Sequence, residues 1–365
     1  METLVKSSLN DFFCGRRCLI TGHTGFKGSW LTTWLDMLGA KIFGFALAPD
    51  TIPSVFEILS LENIVEQAIA DIRDYNSILA FVKECRPEIV FHMAAQPLVC
   101  RSYNEPKLTY DTNVGGTTNL IEALRIVDCA KVIIIVTTDK VYENRENLDG
   151  YRESDRLGGY DPYSSSKACT ELVAKSYYDA FLEPKGKTFL STARSGNVIG
   201  GGDWSKDRIV PDCVRALTNG QEIPVRSPSS VRPWQHVLEP LFGYLILAAQ
   251  MWSGGQKFSA SWNFGPNYQD TCTVQELVEL IISAWGSGSW KDISSENQVH
   301  ETQLLKLNSE KARSYLSWRS FYNYIDAIKE TIAWYRYYYS SGKHMLNFTR
   351  KQIRNYEYRH LKRNT

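Results

Sequence analysis

The sequence predicts an α/β fold, a doubly wound parallel sheet with a smaller, interleaved α/β domain. Three observations predict it. Apolar, β-rich runs alternate with segments of helical period, the first of those runs enters a glycine-rich turn, and 365 residues suffice to bury a large core and leave room for an appended unit.

Strands are expected over residues 17–21, 41–47, 88–92, 131–136 and 189–194, each a short apolar run rich in β-branched or aromatic side chains. Helices are expected over 29–38, 75–85, 108–127 and 164–181, where apolar residues recur at three- and four-residue spacing. Strands joined through helices must run parallel, which makes the sheet doubly wound. Residues 200–202 (Gly-Gly-Gly) and the Pro- and Ser-rich stretch 224–233 mark a change of character, and 261–264 reads as a strand returning to the first domain. The expected division is 1–200 with a returning segment near 235–270 as the first domain, 201–234 and 271–340 as the second, and 341–365 as a C-terminal tail. The stretch 334–365, rich in Tyr, Arg and Lys, reads as a solvated amphipathic helix.

The formal net charge is +1 with acids and bases mixed, so neither nucleic acid nor an anionic membrane is an expected partner. No run reaches the roughly 18 uncharged apolar residues of a membrane span, and residues 1–15 lack the apolar run of a secretory signal, which points to the cytoplasm. Eight scattered cysteines without that signal read as reduced thiols. Cys14 and Cys18 have no second Cys/His pair to complete a zinc site, and no metal is expected.

Gly22-His23-Thr24-Gly25-Phe26-Lys27-Gly28 follows the first strand and opens the first helix. Glycines there permit a tight turn and close approach of backbone to a pyrophosphate, which the helix N-terminus then holds through free N–H groups. That context makes the motif a dinucleotide site of Rossmann type, and the absence of a Gly-Lys-Ser/Thr ending excludes a P-loop. His23 and Lys27 are candidate phosphate contacts. Asp50 arrives late for a ribose ligand and reads equally as a turn residue, whereas Asp71 and Ile72 are candidates for the adenine edge. No arginine cluster follows the second strand, which favours NAD over NADP.

Tyr-x-x-x-Lys occurs three times, as Tyr103/Lys107, Tyr163/Lys167 and Tyr339/Lys343. Hydride chemistry needs both side chains on one helical face, a turn apart. Pro106 disfavours helix at Glu105 and Gly342 interrupts the last pair, whereas Pro162 suits the first turn of a helix that carries Tyr163 and Lys167. A free phenol titrates near about 10, so bringing it to working pH requires about 4 kcal/mol of preferential phenolate stabilisation, a task for Lys167 and a cationic cofactor ring.

The glycine turn, His92-Met93-Ala94-Ala95-Gln96, Asn113, Thr137-Thr138-Asp139, the Tyr163/Lys167 pair and Arg232-Pro233-Trp234 together resemble the extended short-chain dehydrogenases that act on sugar nucleotides, over roughly residues 16–334. Within that group Thr138-Asp139-Lys140 resembles the catalytic triplet of the nucleotide-sugar 4,6-dehydratases. The turn 22–30 with Arg232-Pro233-Trp234-Gln235-His236 resembles those that take a CDP-linked hexose.

The resemblance implies an NAD-binding first domain and a sugar-nucleotide-binding second one. It implies dehydration of CDP-D-glucose to its 4-dehydro-6-deoxy product, by C4 oxidation, loss of water across C5 and C6, and hydride return to C6. By resemblance Gly22 to Gly28, Asp71, Ile72, Ala94, Ala95, Asn113, Tyr163 and Lys167 face NAD, and Gln96, Asn197, Arg208, Arg232, His236 and Asn263 face the substrate. Trp204 and Trp234 are further candidates for the base pocket, with ordinary packing as the alternative. Tyr163 is the C4 base, Thr138 holds the C4 hydroxyl and Asp139 is the acid for the C6 hydroxyl. Lys140 stands where dTDP-glucose relatives carry a glutamate, so the C5 base is either a neutral Lys140 or Tyr163 acting a second time. The resemblance also implies a homodimer through helices 108–127 and 164–181. An epimerase or reductase built on the same redox pair, and an NAD-responsive scaffold, are the competing readings.

Overall fold

The apolar runs become strands because their residues alternate between two buried faces. In β1 (Arg17–Thr21) Cys18 and Ile20 face one core and Leu19 the other. In β5 (Val132–Val136) residues Val132, Ile134 and Val136 face the first core, and Ile133 and Ile135 the second. A computed structural model describes residues 9–145, 147–267, 269–294 and 305–363 of the chain. Residues 295–304 of the expected second domain, and 364–365, lie outside the described residues.

With β2 (Lys41–Ala46), β3 (Glu66–Ile69), β4 (Ile89–His92), β6 (Phe189–Ser195) and β7 (Ser261–Phe264), these strands form a seven-stranded parallel sheet in the order β7-β6-β5-β4-β1-β2-β3. The helices are α1 (Phe26–Met37), α2 (Tyr75–Cys85), α3 (Gly116–Val127), α4 (Pro162–Tyr177), α5 (Ile209–Thr218) and α6 (Leu238–Gly254). Trp30, Leu31 and Trp34 of α1 and Leu241 and Leu245 of α6 cover the first face. Ile78 and Val82 of α2, Leu120 and Leu124 of α3 and Ala174 of α4 cover the second. The sheet is doubly wound, and chain order reverses between β1 and β4, where open parallel sheets place their ligands beyond the strand C-termini.

Beyond the sheet, α5, α7 (Val274–Trp285) and short strand pairs such as 223–225 with 290–292 form the smaller part of the molecule. Its apolar residues Val210, Cys213, Ile223, Leu277 and Ile281 continue the first core without a break. Strand β7, on the far side of β6, is the expected return to the main sheet.

Three expectations change. Glu66–Ile69 is a strand although its sequence, Glu-Gln-Ala-Ile, is polar, because it lies at the sheet edge and needs no continuous apolar face. The helix expected over 108–127 is Pro106–Tyr110, a π-helical turn Asp111–Gly115 and then α3, while α4 runs into a second π-helical turn, Tyr178–Leu182. The C-terminal stretch is neither a tail nor a solvated helix. It is the end of α8 (Tyr324–Ser340), a break at Ser341–His344, and α9 (Met345–Arg363). Trp334, Tyr335, Ile353 and Tyr356 are fully buried. Trp34 Nε1 donates to Glu357 Oε1 at 2.9 Å and Arg350 pairs with Asp36, so α9 is fastened to α1. Among the described residues no helix is long and apolar enough to cross a membrane.

Candidate active site

At the switch point Thr21, the last residue of β1, accepts from the amides of Met93 and Ala94 at 3.1 and 3.2 Å and bonds His92 Nδ1 at 2.6 Å. The chain must then turn within one residue. Gly22 does so at φ +76°, and a Cβ there would stand 2.8 Å from the Ala94 amide nitrogen; a Cβ on Gly28 would stand 2.2 Å from the Gly22 carbonyl oxygen. Gly25, exposed, caps α1 without a side-chain hydrogen bond, which leaves the first amides of the helix open. A glycine cradle against an uncapped helix N-terminus fits the pyrophosphate of a dinucleotide.

The side chains of the turn serve different ends. Thr24 Oγ1 donates to the Leu47 carbonyl at 2.8 Å, tying the turn to the end of β2, and Phe26 packs against Gly200. His23 is fully buried over Gly44 with Nε2 at 2.7 Å from Gln67 Oε1, and burial holds its pKa low. It supports the turn from beneath. Asp71 is gripped by Arg73 at 2.6 Å, a bond that keeps its carboxyl below the usual range, and Ile72 is buried against Gly116. Asp50 is among the charges that act on Arg208.

Helix α4 begins as its sequence asks. Asp161 caps it by accepting from the Ser164 amide at 2.9 Å, Pro162 occupies the first turn, and Tyr163 and Lys167 follow one turn apart. The decoys fail as expected: Tyr103 ends one short helix and Lys107 begins another after Glu105, and Lys343 lies beyond the end of α8. Lys167 Nζ donates to the Val136 carbonyl at the end of β5, 3.2 Å away, and burial lowers its pKa to about 8. Tyr163 lies beside Thr138. Its phenol is pushed up to about 12, first by burial, with Asp139 raising it further and Thr138 and Arg208 opposing. The expected lowering of the phenol is therefore not built into the chain alone, because desolvation outweighs the favourable contacts.

β5 ends in the triplet. Thr138 caps a short 3-10 turn, Asp139–Val141, and its hydroxyl donates to Asp139 Oδ1 at 3.0 Å. Asp139 is buried, with Lys140 Nζ 3.6 Å from the same oxygen; Oδ2 faces Gly196, where a Cβ would stand 2.8 Å away. Opposite, Lys27 Nζ donates to Ser195 Oγ at 2.8 Å and lies 3.4 Å from the Tyr244 hydroxyl. Arg208 pairs with Asp203 at 2.8 Å and acts electrostatically on both Tyr163 and Lys27. Thr138, Asp139, Lys140, Tyr163, Lys167, Lys27 and Arg208 thus converge beyond the C-terminal ends of β1, β5 and β6.

Other candidates are engaged elsewhere. Gln96 accepts from the Leu98 amide and donates to the Leu98 carbonyl and Thr109, and Asn113 ties Gln96 to Ser166. Asn263 accepts from Tyr142 and donates to the carbonyls of Tyr151 and Asn308. His236 is buried edge-on to Trp30 and Tyr322, and Trp204 packs on Trp334 and Tyr335. These side chains form the frame of the site, and His236 Nε2 is buried with no hydrogen-bond partner among the described residues. Ala94 and Ala95 flank the glycine turn half-buried. Asn197, in the strand pair 197–199 with 234–236, and Arg232 are half-buried, and Trp234 is buried.

Sequence reasoning missed a buried ion pair. Arg194 of β6 binds Glu171 of α4 through Nε and Nη2 at 2.9 and 2.8 Å, and Thr137, Thr192 and Ser261 donate to the same carboxylate. Glu171 lies one turn after Lys167, so this pair clamps the catalytic helix to the sheet. An arginine within an apolar strand was its signal.

A parallel sheet whose switch point carries a glycine cradle, beside a buried Tyr-Lys pair with a threonine next to the phenol, defines an enzyme of the short-chain dehydrogenase type. The family model for GDP-mannose 4,6 dehydratase matches residues 19–331, and the chain belongs to that family of nucleotide-sugar 4,6-dehydratases. It is 45% identical over 350 residues to the CDP-glucose 4,6-dehydratase of Salmonella typhimurium, covering 95% of this chain and 97% of that one. The human dTDP-D-glucose 4,6-dehydratase is 25% identical over 344 residues, 90% of this chain and 93% of the relative. Among solved structures, a dTDP-glucose 4,6-dehydratase from Streptomyces venezuelae with NAD bound superposes with a TM-score of 0.75 at 22% identity, covering 88% and 97% of the two chains.

Proposed function

We propose that this chain is an NAD-dependent hydro-lyase that converts CDP-D-glucose to CDP-4-dehydro-6-deoxy-D-glucose, a precursor of deoxysugars. Asp139 carries the reading: a buried carboxyl at the end of β5, hydrogen-bonded to Thr138, which lies beside the phenol of Tyr163. An epimerase expels no C6 hydroxyl and has no use for such an acid. The nucleotide and hexose follow the relative at 45% identity over nearly the whole chain.

Bound NAD supplies the hydride acceptor for C4 and the donor for C6, so there is no net oxidation. Tyr163 takes the C4 hydroxyl proton. Thr138 donates to Asp139 Oδ1 and lies beside Tyr163, so once the protonated Tyr163 donates to the Thr138 oxygen, the proton it has received can pass through Thr138 to Asp139. That shift protonates Asp139, which then delivers the proton to the departing C6 hydroxyl, and it returns Tyr163 to the phenolate. Tyr163 can then remove the C5 proton that the new ketone has acidified. Lys140, ion-paired with Asp139, steadies the carboxylate between turnovers, and in that state it is no proton acceptor. This arrangement favours Tyr163 as the C5 base. Arg208 and Arg232 suit the substrate diphosphate through their donor forks.

All eight cysteines are free thiols, which supports a reducing compartment, the cytoplasm. Ile126 on α3 and Leu172 on α4 remain exposed, and they support the homodimer reading. The test incubates the protein with NAD and CDP-, dTDP-, UDP- or GDP-glucose separately and reads the alkaline absorption of a 4-keto product. Product from CDP-glucose is expected. No product from any nucleotide would overturn the reaction class, and product from dTDP-glucose alone would overturn the nucleotide.

A further inference from the structure

Lys27 has a role that neither the glycine turn nor the Tyr-Lys pair accounts for. It is the second residue of α1, yet its side chain leaves the turn and reaches across to β6 and α6, where Ser195 and Tyr244 hold the ammonium. The Tyr244 hydroxyl is in turn 3.1 Å from Ser195 Oγ, so the holder is itself tied together. Both are neutral. The charges that act on Lys27 are Arg208 and Lys167, which repel it, and Asp139, which attracts it but is already bonded to Thr138 and ion-paired with Lys140. Burial and the two neighbouring cations lower the ammonium to about 7, the mark of a charge without a carboxylate of its own. Its neighbours Lys167 and Asp139 belong to the hydride-transfer end of the site.

We propose that Lys27 sets the redox balance of the bound cofactor, its ammonium favouring the reduced, uncharged nicotinamide over the oxidised cation. The inference rests on the reading of the glycine turn as an NAD site. In the first half-reaction the sugar C4–H bond breaks, two electrons and the hydrogen nucleus pass to the ring, and the hydroxyl proton goes to Tyr163. The ring loses its one positive charge in that step, so an ammonium held nearby by Ser195 and Tyr244 is relieved by hydride acceptance. The same cation opposes hydride return to C6, and the two partial reactions are brought closer to balance. A contact to the cofactor pyrophosphate, the role the sequence suggested for Lys27, would act alike on both redox forms.

Equilibrium binding of NAD+ and NADH, followed by protein fluorescence quenching on the full chain, separates these roles. Wild type is compared with Lys27→Met, with Lys27→Gln as a second neutral variant that retains a donor for Ser195, and with Lys27→Arg. The proposal expects the ratio of Kd(NAD+) to Kd(NADH) to fall about tenfold in both neutral variants and to stay near wild type in Lys27→Arg. Equal weakening of both ligands would return Lys27 to pyrophosphate binding and overturn the proposal, as would no change in either. If wild type binds neither form, the NAD reading of the turn fails with it.

Discussion

The Thr138 hydroxyl donates to Asp139 Oδ1 at 3.0 Å beside the Tyr163 phenol, and in the proposed reaction that bond links the base for C4 oxidation to the acid for water loss. In that reaction one proton serves both steps in turn, and the site needs no second carboxylate where Lys140 stands.

Thr138→Val cuts that path while preserving side-chain volume, and a loss of about 10²-fold or more in kcat is expected, the ordinary worth of a positioned proton-transfer group. Thr138→Ser keeps the hydroxyl and should remain within about tenfold of wild type. Steady-state rates with CDP-glucose decide it. Equal losses in both variants would assign Thr138 to packing.

Asp139→Asn leaves the shape of the acid but no proton to deliver. Water loss should slow more than C4 oxidation, so reduced cofactor should accumulate on the enzyme in a single turnover followed by its near-ultraviolet absorption. Equal slowing of both phases would argue against Asp139 as the acid.

Burial holds Lys167 at about 8 and Lys27 at about 7, both below an unfolded lysine at about 10.4. Between those values the unfolded chain binds more protons than the folded one, so the contribution of these groups to stability rises with pH across that window. Lys27→Met is relieved of a buried ammonium only where wild type carries one. Its urea midpoint should therefore gain on wild type more at about pH 6 than at about pH 9.5. A pH-independent difference would mean that Lys27 is not desolvated.

The Arg194–Glu171 pair is a clamp between α4 and β6, both members 2% exposed. Arg194→Leu strands a buried carboxylate and should cost about 3–5 kcal/mol in chemical denaturation, whereas replacing both members with apolar residues should cost far less. Equal costs would show that the charge itself is not what the fold responds to.

Much of the fold was legible in the sequence, because β1, β2, β4 and β5 are buried on both faces along most of their length and therefore read as largely apolar runs. β3 was not, since an edge strand of Glu-Gln-Ala-Ile carries no such signal. The start of α1 at Phe26 was hidden by Gly25 and Gly28, which the ligand turn requires and which depress helix propensity. The C-terminal stretch misled because its tyrosines, arginines and lysines read as a wet face. Trp334, Tyr335 and Tyr356 are core residues, and which face an aromatic-rich helix buries depends on the partner it meets.

At the site the contrast is one of sequence distance. Thr138-Asp139-Lys140 and Tyr163/Lys167 are local patterns, readable from spacing and from what Pro162 does to a helix. The bond from Lys27 to Ser195 spans 168 residues, and the sequence does not say which of its polar side chains will meet. The same holds for Gln96 and Asn263, polar residues beside motifs that the fold spends on its own backbone.

The most direct test of the account is the fate of the hydrogen at C4. CDP-D-glucose carrying deuterium at C4, converted with NAD in ordinary water, should yield a product with that deuterium at C6 and a solvent proton at C5, read by mass spectrometry and proton NMR. Deuterium retained at C4, or an inverted C4 with no loss of water, would contradict the account and make the chain an epimerase.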